Sequence, residues 1–128
     1  MDGVLAATYP VLATSSFEAM TTPALVVAGE KDVAPPFSSH ADWRSDAYRM
    51  SPGPTSLLTF LGAEHLLGGV TGYDAAETTD ENPERVAALR ALVWAFLRTA
   101  LYPGGTAWAQ ARAALEARAD PLGRVESR

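Results

Sequence analysis

The chain of 128 residues contains no cysteine. That excludes disulfides, thiolate catalysis, cysteine-type zinc sites and iron–sulfur clusters together. Histidine is almost as scarce, with His40 and His65 the only two. Few positions can therefore do imidazole chemistry, and no metal site is expected. No apolar run approaches the ~20 residues that a membrane-spanning helix needs. Positive charge is also in deficit: 10 Lys plus Arg stand against 15 Asp plus Glu, a formal balance of −5. A chain of that sign has no electrostatic reason to seek nucleic acid or anionic lipid, so neither is expected as a partner. The opening MDGVLAATYPVL is no secretory leader. Asp2 stands where a basic residue belongs, and the first basic residue is Lys31. The expected location is cytoplasmic.

What is present is a globular composition. Hydrophobic residues make up 48% and charged ones 20%, too apolar for a disordered chain. The length is that of one ordinary domain. No internal repeat breaks it into smaller units.

Short apolar runs and turn residues divide the chain. Val4-Leu5-Ala6-Ala7 reads as a strand ended by Tyr9-Pro10, and residues 14–22 read as a loop or frayed turn around Phe17. Ala24-Leu25-Val26-Val27-Ala28, between Pro23 and Gly29, is a continuous apolar run. Such runs belong to strands covered on both faces, as in a parallel sheet flanked by helices. Pro35-Pro36 marks a loop. His40 to Met50 predicts a short helix, closed by Ser51-Pro52-Gly53-Pro54. Ser56 to Leu61 predicts another strand, followed by a glycine-rich loop through Tyr73. Asn82 and Pro83 are a helix start, and Val86, Leu89, Val93, Phe96, Leu97 and Ala100 form an apolar stripe ending near Leu101. Ala107 to about Ala119 predicts a last helix, capped by Thr106 and stopped by Pro121. The polar tail from Leu122 to Arg128 is expected to be loose. The class is α/β, with a parallel sheet. Three strands cannot finish a doubly wound sheet, so an unpaired edge is expected.

Two titratable residues follow the strands in the same way. Asp32 lies three residues past Gly29, and His65 three past Gly62. In an open parallel sheet, functional groups emerge beyond the carboxyl ends of the strands. An Asp that accepts the Nδ1–H of a His fixes its tautomer and stabilises the imidazolium. Asp32 and His65 are therefore a candidate orienter and base. Taken singly, each has a plainer reading, as a turn former and as a surface histidine. His40 reads as surface. Trp43, Trp94 and Trp108 read as packing residues rather than pocket walls. The acidic run Thr78-Thr79-Asp80-Glu81 suits a helix N-terminus and needs no metal.

The segment Pro23 to Asp32 resembles the penultimate-strand region of α/β-hydrolases, and Gly62-Ala63-Glu64-His65-Leu66-Leu67-Gly68-Gly69 resembles the segment after their last strand. The helix from Pro83 resembles their final helix. Within that superfamily the chain looks most like bacterial esterases grouped with chlorophyllases and dienelactone hydrolases. Trp43 to Tyr48 and Gly72 to Thr78 add to this. Residues 1–22 are a poorly matched lead-in, 23–101 carry the match, and 102–128 are terminal helix and tail.

The resemblance implies a partial α/β-hydrolase fold: the last parallel strands and C-terminal helices of an incomplete doubly wound sheet. It implies Asp32 as the triad acid and His65 as the triad base, with no cofactor. The family's serine lies in a G-x-S-x-G elbow upstream of the acid. That elbow is absent, and Ser15 and Ser16, the only upstream serines, lack its glycines. The chain is thus expected to be the C-terminal portion of a carboxylic ester hydrolase, inactive alone, acting on a small ester once a nucleophile-bearing half completes it. The alternative is a non-catalytic binding or assembly module, with a homodimer or partner chain at the sheet edge. A flavodoxin-like or receiver-like domain would need five strands, more than the sequence supplies.

Overall fold

A computed structural model describes residues 15–33 and 44–128. The expected strand at Val4–Ala7, the Pro35-Pro36 loop, His40 and Trp43 lie outside the described residues. The elements run α1 (Ser15–Glu18), β1 (Ala24–Gly29), α2 (Asp46–Met50), β2 (Thr55–Phe60), α3 (Pro83–Leu101), α4 (Ala107–Glu116) and β3 (Gly123–Ser127). They form a mixed α/β arrangement around one sheet in the order β1-β2-β3.

β1 and β2 are parallel, in register from Ala24 opposite Thr55 to Gly29 opposite Phe60. β3 is antiparallel to β2, with Val125 opposite Leu58. The expected loose tail is therefore corrected to a strand, and the expected all-parallel sheet to a mixed one. The cause is visible in the alternation of β3. Val125 is buried against the core, whereas Arg124 and Glu126 are exposed, so a single apolar residue docks the strand. The tail is tied at both ends, by Leu61 N–H to Leu122 O (2.9 Å) and by paired bonds between Thr55 and Arg128 (3.2 and 3.0 Å).

β2 is the central strand, and all six of its residues are buried. Its polar side chains are matched inside the protein. Thr55 bonds Ser51 Oγ (2.8 Å), and Ser56 bonds Ser127 Oγ (2.9 Å). Buried hydroxyls left unmatched would cost about 1–3 kcal/mol each.

One sheet face, with Leu58, Phe60 and Val125, packs on Leu89 and Leu92 of α3 and Leu115 of α4. α3 starts where expected, with Asn82 Oδ1 accepting from Arg85 N (3.0 Å) and Pro83 in the first turn. Its buried stripe is Arg85, Leu89, Leu92 and Ala95. That stripe is rotated from the expected one, of which only Leu89 is buried; Leu97 is half exposed. The rotation follows from contacts on two sides, since α3 meets both the sheet and α4. Trp108 of α4 packs edge-on to Phe96 with ring centroids 5.4 Å apart. Trp94, expected to pack, stays exposed beneath a guanidinium from Arg98. Thr106 does not cap α4; Thr99 Oγ1 accepts from Trp108 N instead (3.0 Å).

The other sheet face, with Leu57, Thr59, Arg124 and Glu126, borders a cavity of about 340 Å³. Along β1, Ala24 N–H and Glu30 N–H point to Pro54 O and Phe60 O of the β2 side. Parallel alternation then turns the N–H groups of Leu25 and Val27 outward. Among the described residues nothing pairs with that outer edge. No helix among them is long and apolar enough to cross a membrane.

Candidate active site

The loops leaving β1 and β2 are bonded to each other before either functional residue appears. Glu30 N–H donates to Phe60 O (2.9 Å), and Lys31 N–H to Ala63 O (2.8 Å). In return Gly62 N–H donates to the Glu30 carboxylate (2.8 Å). Gly29 permits this approach. A Cβ there would lie 2.5 Å from Ala63 O and 2.7 Å from Glu64 O. Only a residue without a side chain fits between β1 and the following turn.

This bonding brings Asp32 and His65 together at the carboxyl end of the parallel pair. His65 Nδ1 is 3.1 Å from Asp32 Oδ1 and 3.3 Å from Oδ2. The Asp32 side chain is 5% exposed and the His65 side chain 56% exposed. The carboxylate is thus sheltered, and the ring reaches outward from it. Among the described residues, Nε2 carries no hydrogen bond.

The turn carrying His65 is held by Asp80. Its carboxylate accepts from Glu64 N (2.8 Å) and from Gly68 N (3.3 Å), one on each side of the histidine. Arg85 Nη1 bonds the same carboxylate at 3.0 Å, while Nη2 reaches Leu61 O (3.1 Å) beyond the end of β2. The Asp80–Arg85 pair is buried, with each side chain 9% exposed. Gly68, at φ 94, takes the left-handed conformation that closes this turn. The acidic run before α3 therefore does more than complement a helix dipole. Glu64 points away from the Asp32–His65 pair and bonds Thr79 Oγ1.

A third residue joins the pair. Arg44, just ahead of α2, donates from Nε to Asp32 Oδ2 at 2.9 Å, and its Nη2 lies 2.9 Å from His65 Nδ1. Sequence reasoning did not single out Arg44, Asp80 or Arg85 as site residues. Their contacts span 12 to 24 residues, apart from the local Asp80–Arg85 pair, and no short motif signals them.

Ser15 and Ser16 lie in α1. Among the described residues, no group of three or more His, Asp or Glu side chains gathers as a metal site would require. No protein-family model matches the chain, and no curated protein or solved structure matches it.

Chemically, a sheltered carboxylate against one ring nitrogen of an outward-facing imidazole can serve as an orienter and a base for proton transfer. Among the described residues, no serine hydroxyl is hydrogen-bonded to His65.

Proposed function

We propose that this chain is the portion of an α/β-hydrolase-type carboxylic ester hydrolase that supplies the triad acid, Asp32, and the triad base, His65. A serine nucleophile and an oxyanion hole come from a segment outside this chain. The observation that carries the reading is the 3.1 Å contact between Asp32 Oδ1 and His65 Nδ1 at the carboxyl ends of neighbouring parallel strands. The resemblance of residues 23–101 to that superfamily supports it independently.

In this reading His65 Nε2 takes the proton of the serine hydroxyl as its oxygen attacks the ester carbonyl. Asp32 stabilises the imidazolium. The proton then passes to the departing alcohol, leaving an acyl-enzyme. Water, deprotonated by the same Nε2, releases the acid and regenerates the serine. The substrate is a small-molecule ester, and no cofactor takes part.

The test is co-expression with an upstream half bearing G-x-S-x-G. The chain alone is expected to hydrolyse p-nitrophenyl esters no faster than background. The joined halves are expected to be active, and His65→Ala to lower that activity by about 10³-fold or more, the scale of losing a triad base. Activity indifferent to His65→Ala overturns the assignment.

A second reading is favoured by one observation, the outer edge of β1, which is unpaired among the described residues. A non-catalytic assembly module would use that edge to bind a partner strand or a second copy. Light scattering distinguishes the two: a stable pair of chains with no gain of activity on co-expression supports assembly alone.

A further inference from the structure

The two contacts at His65 Nδ1 ask for different tautomers of the ring. That nitrogen faces Asp32 Oδ1 at 3.1 Å and Arg44 Nη2 at 2.9 Å. A neutral imidazole nitrogen carries either a proton or a lone pair. A guanidinium has only N–H to offer. With a proton on Nδ1, the ring donates to Asp32 and meets the Arg44 N–H proton against proton. With a lone pair on Nδ1, the ring accepts from Arg44, and its own proton sits on Nε2.

We infer that Arg44 sets the tautomer of His65 and, in this chain, parks the ring with its proton on Nε2, the form that cannot act as the base. The inference rests on the reading of Asp32 and His65 as orienter and base, and assigns that site its control.

Arg44 suits this role by shape. Its Nε and Nη2 are neighbouring arms of one rigid planar fork. Nε serves Asp32 Oδ2 at 2.9 Å, and Nη2 serves His65 at 2.9 Å. A single guanidinium therefore bridges the carboxylate and the imidazole. Asp32 is buried with the Arg44 guanidinium against it, so a cation faces the carboxylate without any proton from His65. Charge-assisted bonds of this kind are roughly twice as strong as neutral ones. With the lone pair on Nδ1, the ring and the Asp32 oxygens at 3.1 and 3.3 Å repel each other, and the two Arg44 bonds must offset that repulsion.

The consequence falls on Nε2. Holding a proton, it donates and cannot receive one from a hydroxyl. Withdrawing Arg44 removes the competing donor. Nδ1–H then bonds Asp32, and the lone pair moves to Nε2, the nitrogen facing outward. Arg44 is a positioning residue, acting through His65 and touching no substrate. Its side chain is 32% exposed.

The experiment uses the whole chain, labelled with ¹⁵N at histidine, at a pH above the ordinary imidazole range. Long-range proton–nitrogen correlation spectra distinguish the two ring nitrogens. In the wild-type chain His65 is expected to carry its proton on Nε2. In Arg44→Met the proton is expected on Nδ1, a change in the tautomer ratio of at least about tenfold. The double variant with Asp32→Asn is expected to lose that preference, because the acceptor that draws the proton to Nδ1 has lost its charge. A wild-type ring already protonated on Nδ1 overturns the inference, and that measurement requires no variant to fold. An unchanged ring in a folded Arg44→Met chain overturns it too. Failure of the hydrolase reading looks different: no esterase activity on co-expression, whatever the tautomer. A His65-dependent esterase with Nδ1–H in the wild-type chain would remove Arg44's role and leave the hydrolase reading standing.

Discussion

Replacing Asp80 by alanine probes what holds the His65 turn in place. Three partners lose their acceptor at once: Glu64 N–H, Gly68 N–H and Arg85 Nη1. The larger loss is the ion pair. Arg85 is 7% exposed, and its Nε already has no hydrogen-bond partner. Without the Asp80 carboxylate its guanidinium is buried with only two backbone oxygens to oppose it, that of Leu61 (3.1 Å) and, at 3.5 Å, that of residue 80 itself. Breaking a buried pair from one side costs about 3–5 kcal/mol. The Glu64 bond adds about 1 kcal/mol, and the longer Gly68 bond less. We expect Asp80→Ala to cost ~4 kcal/mol, a large fraction of the ~5–15 kcal/mol that holds a domain together. Urea unfolding followed by far-ultraviolet circular dichroism measures it as a fall in midpoint at constant slope. The orphaned charge is the decisive quantity. Arg85→Met on top of Asp80→Ala removes it, so the double variant should be more stable than Asp80→Ala alone by ~1 kcal/mol or more. A cost below ~0.5 kcal/mol for Asp80→Ala, or a double variant that is merely additive, refutes the reasoning.

Two further outcomes follow from the packing. Gly29→Ala forces a Cβ to 2.5 Å from Ala63 O, so it should destabilise the chain by ~1–3 kcal/mol and broaden or shift the His65 ring resonances; an unperturbed spectrum would contradict the close approach. Val125→Asp places a carboxylate in the core beneath β3, and the cost of several kcal/mol should abolish a cooperative melt; a loss under ~1 kcal/mol would mean that β3 is not docked.

Legibility differed by element for physical reasons. β1 and β2 announce themselves as short apolar segments, Ala24 to Ala28 unbroken and β2 around Leu57, Leu58 and Phe60, each bounded by Gly or Pro. α3 does so too, because Asn82 and Pro83 mark its start locally. β3 does not. An edge strand needs only one inward side chain, and Gly-Arg-Val-Glu-Ser offers only Val125. The stripe of α3 was misplaced by part of a turn because Arg85, a charged residue, takes a buried position that periodicity reserves for apolar ones. At the site, Asp32 and His65 stand out because both follow strands after a glycine. Arg44, Asp80 and Arg85 reach the site through contacts between segments 12 to 24 residues apart, and the one local contact, Asp80 with Arg85, matches no short motif.

The two borders of the sheet are unlike. β3 presents alternating Arg124 and Glu126 on a short strand, the charged pattern that discourages further pairing. β1 presents Ala24, Leu25, Val26 and Val27 with no charge among them. Among the described residues the two borders therefore differ in what they tolerate: a strand added along β1 would meet no charge on that strand, whereas one added along β3 would meet Arg124 and Glu126.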